Sequence, residues 1–193
     1  MTDHCTTRRA RSGPSAPLRW LLEHGYIEQG HVTLDYGCGY GRDVAYLLDA
    51  FDSQTFVAGF DPFAQPEALI GRVATVDEAW LDEQMNLRPN LWDNILLTYV
   101  LNVLPLEGQQ EVMSKLVKRI AWGGGRIYAT VRRDLFPAGS GASIVTSRGM
   151  QCDVDMDALC KAMNKPWLRC ESIRHLKGRY EIFHLYKKTR TST

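Results

Sequence analysis

The chain has 193 residues, of which 45% are apolar, so one domain could bury a substantial core. A formal net charge of +1 at pH 7 gives no general case for binding a polyanion. No apolar run is long enough to cross a bilayer, and the basic N-terminus lacks the apolar segment of a secretory signal. We therefore expect a cytoplasmic protein. The five cysteines have no C-x-x-C pair and the histidines no ligand spacing, which indicates reduced thiols and no metal site.

Residues 1–14 are expected to form a flexible basic arm, followed by a single domain over residues 15–193. The first twenty residues contain four arginines and one acid, Asp3. Such an arm could close over the site or contact the phosphates of a nucleic-acid substrate, and it could equally be a solvated tail. The arm alone does not decide between these interpretations.

Beyond the arm, apolar periodicity predicts helices and strands in alternation. The expected helices cover residues 17–24, 42–50, 106–120 and 155–163, and the expected strands cover 32–36, 55–61, 71–76, 92–99 and 126–131. A hairpin follows, over 168–177 and 180–187. The polar, glycine-rich stretch 139–151 could fold over a substrate or be a loose connector. This order predicts an α/β fold with one doubly wound, Rossmann-like sheet.

A glycine-rich turn follows the first predicted strand and leads into a helix. It reads Asp35, Tyr36, Gly37, Cys38, Gly39, Tyr40, Gly41. Glycine has no Cβ, so this backbone could lie close against a ligand beyond the carboxyl end of the strand. The spacing G-x-G-x-G differs from the dinucleotide fingerprint, and no Gly-Lys-Ser/Thr of a P-loop follows. The turn predicts a site for a different nucleotide-like cofactor.

An acidic residue, Asp61, closes the second predicted strand. A carboxylate at that strand end can accept hydrogen bonds from both hydroxyls of an adenosine ribose. The D-x-G-x-G-x-G turn with this second acid resembles the class I S-adenosylmethionine (SAM)-dependent methyltransferases. The resemblance implies a seven-stranded sheet with an antiparallel last strand and SAM as the cofactor. It implies cofactor binding by Asp35, Gly37, Cys38, Gly39, Gly41, Asp61, Pro62, Asp77, Thr98 and Tyr99. Asp77 could instead belong to a solvated acidic helix with Asp82 and Glu83.

Several segments resemble a narrower group. They read Asp-Tyr-Gly-Cys-Gly from residue 35, Gly-Phe-Asp-Pro-Phe from residue 59 and Val-Arg-Arg-Asp from residue 131. These segments are similar to those of methyltransferases associated with bacterial DNA phosphorothioation systems and of short phage homologues of them. The likeness implies a bacterial or phage origin and leaves the methyl acceptor open.

Catalytic candidates lie where the fourth and fifth strands end. Tyr99 and Asn102 follow the fourth strand, where Asn102 could accept from a substrate N–H, donate to a carbonyl, or simply cap a turn. Arg132 and Arg133 follow the fifth strand and could bind a phosphate or carboxylate, or form a salt bridge with Asp134. We name Tyr99, Asn102 and Arg132 as the catalytic candidates.

The acceptor is constrained by what the sequence lacks. The fourth strand ends in Thr-Tyr-Val-Leu, where amino-methyltransferases of adenine or cytosine carry D/N/S-P-P-Y/F, and no Pro-Cys dipeptide provides a cytosine-C5 nucleophile. A standard DNA base methyltransferase is therefore disfavoured. Three interpretations stay open: methyl transfer to a nucleic-acid or modified-nucleotide N or O atom, methyl transfer to a small metabolite, and a non-catalytic SAM-binding accessory subunit of a DNA-modification system.

Overall fold

The computed structural model describes residues 13–51, 55–63, 74–75, 78–87, 91–120, 124–136, 139–147, 149–176 and 179–188. The helices are α1 (Ala16–Glu23), α2 (Arg42–Ala50), α3 (Glu78–Leu87), α4 (Leu106–Val117) and α5 (Met156–Ala162), with a short 3-10 helix at Leu101–Val103. The strands are β1 (Thr33–Tyr36), β2 (Val57–Phe60), β3 (Ala74–Thr75), β4 (Asn94–Thr98), β5 (Arg126–Arg132), β6 (Ser143–Thr146), β7 (Gly149–Cys152), β8 (Leu168–Leu176) and β9 (Tyr180–Lys187).

Seven strands form one sheet in the order β3-β2-β1-β4-β5-β9-β8. Strands β1 to β5 are parallel, whereas β9 runs antiparallel between β5 and β8. The chain first builds the sheet outward from β1 through β2 to β3, then returns to place β4 on the other side of β1. This reversal creates a switch point between β1 and β4, where open α/β sheets bind ligands. The predicted doubly wound sheet with an antiparallel last strand is confirmed.

The central strands are buried on both faces, which explains their continuous apolar sequences. In β4, Ile95 and Leu97 belong to one apolar cluster, while Leu96 belongs to the cluster on the opposite face. Helix α1 packs on that second face through Leu18 and Leu21. Because both faces are packed, the carboxyl end of β4 is held in a fixed position, and the polar residues that follow it are fixed with it.

Some predicted elements need correction. The helix expected over 106–120 ends at Val117. The third strand covers Ala74–Thr75 in the described residues, and the other positions of the predicted range 71–76 lie outside them. Helix α3, which carries Asp82 and Glu83, corresponds to the acidic helix weighed as an alternative. The stretch 139–151 contains a two-stranded antiparallel ribbon, β6–β7, and is therefore not a loose connector.

No helix in the described ranges has both the length and the apolar character that crossing a bilayer requires.

Candidate functional site

In the glycine turn between β1 and α2, Gly37 is packed against a neighbouring segment and Gly39 is open. Gly37 has φ +79°, and a Cβ placed there would lie 2.4 Å from Cγ2 of Val100. Gly39 has φ +54°, and a Cβ there would have no other atom within 4 Å. The N–H groups of Gly37 and Cys38 both donate to the Phe60 carbonyl at the end of β2, at 2.6 and 3.1 Å. The turn is thus fixed by β2 and the segment after β4, and its backbone faces open space at Gly39.

The carboxylate of Asp61 is hydrogen-bonded directly to this turn. Its Oδ2 accepts from the Gly39 N–H at 2.8 Å, and its Oδ1 accepts from the Phe63 N–H at 2.8 Å. Both bonds use charged acceptor oxygens, which makes them stronger than neutral ones. Two residues that the sequence placed in a common site therefore contact each other, and the half-buried carboxylate lies beside the open face of the turn.

A group of carboxylates surrounds the turn. Asp35 is only 3% exposed. Its pKa is raised well above the usual range, first by burial and then by the negative charges of Asp43 and Asp61, while Arg42 opposes the rise. A cationic ligand at the open face would relieve this repulsion, so the electrostatics of the site favour positive charge.

Asp43 was not singled out from the sequence, and it joins α2 to α1. Its Oδ1 accepts from the Ser15 N–H at 2.7 Å and its Oδ2 accepts from the Ser15 hydroxyl at 2.5 Å. The Ser15 hydroxyl in turn accepts from the Leu18 N–H at the start of α1. The only sequence signal was an N-cap serine before Pro17, and the long-range partner of that serine is set by tertiary packing.

Cys38 lies half-buried at the centre of the turn. Burial raises the pKa of its thiol, and the Asp35 and Asp61 charges raise it further. The thiol is therefore protonated near neutral pH and is no nucleophile. Its Sγ packs over Gly59, where a Cβ would approach it to 2.9 Å.

Tyr99 directly follows β4 in a left-handed conformation with φ +64°. A bulky residue at positive φ costs on the order of 1–3 kcal/mol, and such strain concentrates at functional sites. The Tyr99 N–H donates to the Thr130 carbonyl at 3.0 Å, and its ring meets the Tyr180 ring edge-on at 6.4 Å. Burial and neighbouring Tyr180 raise the pKa of Tyr99 to about 12. The phenol stays protonated, so it can donate a hydrogen bond but cannot act as a base at neutral pH.

Asn102 requires a correction. Its side chain was expected to face a substrate or cap a turn. The residue is instead 1% exposed, and both the nitrogen and the oxygen of its side-chain amide are hydrogen-bonded to backbone groups. Nδ2 donates to the Cys152 carbonyl at 3.1 Å, and Oδ1 accepts from the Arg132 N–H at 2.7 Å. Asn102 thus joins the segment after β4 to the ends of β5 and β7, and it has no free polar atom to offer a substrate.

Arg132 forms the ion pair that the sequence left as an alternative. Its Nε and Nη2 donate to the two carboxylate oxygens of Asp134, at 2.9 and 2.5 Å. A bidentate pair of this kind fixes the guanidinium and compensates its charge. A substrate anion would have to compete with Asp134 for this group.

Of the other predicted residues, Thr98 ends β4 beside Thr130 and Pro62 is exposed next to Asp61. Asp77 and residues 1–12 lie outside the described residues. Within the described ranges, no group of three or more His, Cys, Asp or Glu side chains could hold a metal ion.

No protein-family model matches the sequence, and neither does any curated protein sequence. Solved structures do share the fold. A SAM-dependent methyltransferase from Bacteroides fragilis, in complex with S-adenosyl-L-homocysteine (SAH), superimposes with a TM-score of 0.62 at 16% identity, covering 92% of this chain and 79% of that chain. A Pyrococcus horikoshii protein gives a TM-score of 0.64 at 14% identity, covering 89% of this chain and 88% of that one.

A third structure of the same fold contains both a cofactor product and an acceptor. It is the 1,6-didemethyltoxoflavin-N1-methyltransferase of Burkholderia thailandensis, with bound 1,6-didemethyltoxoflavin and SAH. The TM-score is 0.57 at 16% identity, covering 90% of this chain and 79% of that chain. Likeness at this level of identity establishes a common fold.

Proposed function

We propose that this protein is a SAM-dependent methyltransferase. The proposal rests chiefly on one observation: the open glycine turn at the switch point is hydrogen-bonded to the carboxylate that ends β2. Several structures of the same fold contain SAH, which supports the choice of cofactor.

The residues present fit this cofactor. Gly39 leaves space where any side chain would intrude. Asp61 is held in place by the N–H groups of Gly39 and Phe63, and a carboxylate is the kind of acceptor that ribose hydroxyls bind. The negative charges of Asp43 and Asp61, which raise the pKa of the buried Asp35, provide a negative environment for a net-positive ligand. We further propose that Pro62, Thr98 and Tyr99 line the adenosyl pocket and that Asp77 bonds the adenine amine, as the family resemblance implies.

When bound, SAM supplies an electrophilic methyl group: a lone pair on an acceptor N or O atom forms the new bond to carbon, the carbon–sulfur bond electrons stay on sulfur, and the acceptor proton passes to solvent. The protein's contribution is to align and dehydrate the reacting atoms. Tyr99 is suited to orient the acceptor, because its strained backbone fixes the phenol and its raised pKa keeps the proton available for donation.

A second candidate function is that of a SAM-binding subunit that does not catalyse methyl transfer. The engagement of Asn102 by backbone and of Arg132 by Asp134 favours it, because neither side chain offers a free catalytic group. We also propose that the protein acts with a DNA phosphorothioation system in a bacterial or phage-infected cytoplasm. This part of the proposal rests on the likeness of the sequence segments quoted above.

The two candidates are separated by cofactor binding and methyl turnover measured on the same preparation. SAH binding is measured by calorimetry, and radiolabelled SAM is incubated with DNA, RNA, protein and small-metabolite fractions. The enzyme reading predicts label in one fraction, a loss of at least about tenfold in that labelling for Tyr99→Phe, and unchanged SAH affinity for this variant. SAH binding with no labelled fraction would favour the accessory subunit, and absence of SAH binding would refute both.

A further inference from the structure

Arg174 lies on the edge strand β8, and the register of the sheet brings it to the edge where the methyl group would be transferred. One row of paired residues crosses the sheet from β4 to β8, through Thr98, Thr130, Ile182 and Arg174. Thr98 ends β4 and directly precedes Tyr99. Arg174 is therefore at the same edge of the sheet as Tyr99, and on the side of β4 away from the glycine turn.

A β-bulge in β8 determines which face of the sheet Arg174 occupies. The register shifts between Ser172 and Arg174, where Ile173 is the extra residue, and Arg174 pairs with Ile182. Ile182 faces α1, so its partner Arg174 faces α1 as well. In an unbroken ladder Arg174 would pair instead with Glu181 and face the opposite side of the sheet. The bulge thus moves this cation away from a carboxylate, and bulges beside functional sites redirect side chains in this way.

The guanidinium of Arg174 lies between two aromatic rings. Its Cζ is 5.1 Å from the centroid of the Trp20 ring on α1 and 5.7 Å from the centroid of the Tyr180 ring. Trp20 stacks on Tyr26 at 5.4 Å, and Tyr180 meets Tyr99 edge-on at 6.4 Å. Because further aromatic contacts hold both rings, the guanidinium between them has a fixed position. A single ring, that of Tyr180, connects it to Tyr99.

The guanidinium of Arg174 has no anionic partner in the described part of the chain. Its Nε is buried and makes no hydrogen bond to any described residue, while the residue as a whole is only half-buried. Arg132 and Arg133 at the same edge of the sheet differ, because they pair with Asp134 and Glu181. A contact with an aromatic face stabilises a guanidinium but gives its N–H groups no acceptor. Arg174 therefore keeps donors for an acceptor that a ligand brings.

The acids of strands β8 and β9 are engaged elsewhere. Glu171 lies 3.2 Å from Nδ1 of His184. Glu181 accepts from Nε of Arg133 at 3.0 Å and from the Ser172 hydroxyl at 2.6 Å. Neither carboxylate compensates the half-buried charge of Arg174, so a ligand that brings its own negative charge is favoured there. The planar fork of a guanidinium matches two oxygens of a carboxylate or of a phosphate, which identifies an oxyanion as the fitting ligand.

We propose that Arg174 binds an oxyanion of the methyl acceptor, which is a carboxylate or a phosphate. This rests on the proposed methyltransferase function. The oxyanion accepts hydrogen bonds from the guanidinium that Trp20 and Tyr180 hold, and the nucleophile of the acceptor lies toward Tyr99. The acceptor is thus an anionic molecule, bound on the side of β4 away from the cofactor. Small acids and the phosphodiesters of a nucleic acid share this chemistry, and the test separates these two sources.

The test uses the whole chain saturated with SAH and labelled with 15N-arginine. The Nε–H cross-peak of Arg174 is assigned by its loss in Arg174→Lys. The protein is titrated separately with benzoate, phenyl phosphate, neutral benzamide and single-stranded oligothymidylate. We expect benzoate and phenyl phosphate to shift the Arg174 cross-peak. Benzamide should leave it unchanged, because it has the shape of benzoate without the charge.

A matched pair of variants, measured by calorimetry, assigns the effect to Arg174. Arg174→Met should weaken binding of benzoate and phenyl phosphate at least about tenfold, because hydrogen bonds to a charged group are lost. Its SAH affinity should be unchanged, since Arg174 and the glycine turn lie on opposite sides of β4. Arg169→Met removes the same charge from an exposed position near the other end of β8 and should bind both anions like the parent.

Three results would overturn the proposal and leave the methyltransferase function intact, provided that SAH still binds. They are an equal response to benzamide, a response to no probe, and parent-like anion affinity in Arg174→Met. The last would mean that Arg174 only ties β8 to α1. A response to oligothymidylate alone, abolished in Arg174→Met, would support the oxyanion and identify a phosphodiester as its source. Failure of SAH itself to bind would instead remove the proposed function on which the acceptor assignment depends.

Discussion

Removal of the Asp61 carboxylate should weaken cofactor binding without unfolding the domain. In Asp61→Ala, the N–H groups of Gly39 and Phe63 each lose an acceptor at 2.8 Å, and the ribose hydroxyls lose theirs. Asp61 is only half-buried, so water can replace it as the partner of both backbone groups. The fold should therefore tolerate the change, and the loss should be seen in SAH affinity.

The size of the effect follows from the kind of bond that is lost. Hydrogen bonds to charged groups contribute about 1.5–3 kcal/mol each, and part of this is recovered through water. We expect SAH affinity to fall by about 1–3 kcal/mol, which is roughly 5- to 150-fold. Asp61→Asn should lose nearly as much, because one of the two backbone N–H groups would then face an amide NH2 group rather than an oxygen.

Calorimetric titration with SAH measures the change, with Asp49→Ala as the control. Asp49 is an exposed acid on α2, so Asp49→Ala changes the net charge by the same amount as Asp61→Ala, at a position away from the end of β2. Parent-like affinity is expected for the control. Parent-like affinity for Asp61→Ala would refute the assignment of the ribose site, and parent-like affinity for Asp61→Asn alone would show that shape rather than charge matters there.

Two further predictions concern the turn. Asp35 binds its proton more tightly in the folded protein than in the unfolded chain, so its contribution to stability is complete below about pH 4 and is lost as the pH rises through its folded pKa. Asp35→Asn should therefore raise the melting temperature at neutral pH by at least about 2 °C, and a lower melting temperature would contradict the assigned burial cost. In the parent protein, SAM affinity should rise with pH as Asp35 loses its proton, and Asp35→Asn should abolish this rise. Gly37→Ala should markedly lower the melting temperature because its Cβ would collide with Val100. Gly39→Ala should cost only about 1–2 kcal/mol of stability yet abolish measurable SAH binding. Equal melting temperatures of the two variants, or intact SAH binding by Gly39→Ala, would contradict this geometry.

The sheet could be predicted because local sequence determines it. Helix α2 begins and ends at the expected residues, since a glycine turn precedes it and its apolar positions recur at helical spacing. Strand β4 was evident from an apolar run that only burial on both faces explains. The contact of Asp61 with Gly39 could be anticipated as well, because carboxyl ends of neighbouring parallel strands meet at one edge.

The contacts at the ends of β4, β5 and β7 could not be predicted in the same way, because their hydrogen bonds join residues far apart in the chain. Asn102 is bonded to Cys152 and to Arg132, which are 50 and 30 positions away. A polar residue after a strand indicates a ligand site and a backbone brace equally well. Ser143 to Thr146 has strand-forming residues, but the surrounding glycines and polar residues obscured their pairing with Gly149 to Cys152.

Residues 99 to 102 link the two halves of the site. Tyr99 packs against Tyr180 of β9, Val100 covers Gly37 of the glycine turn, and Asn102 holds the base of the β6–β7 ribbon. A displacement of the glycine turn would therefore be transmitted through Val100 to the segment that positions the ribbon. Packed contacts of this kind do not deform independently. The strained backbone at Tyr99 is consistent with this constraint, since one short segment must pack against the glycine turn, the last strand and the ribbon together.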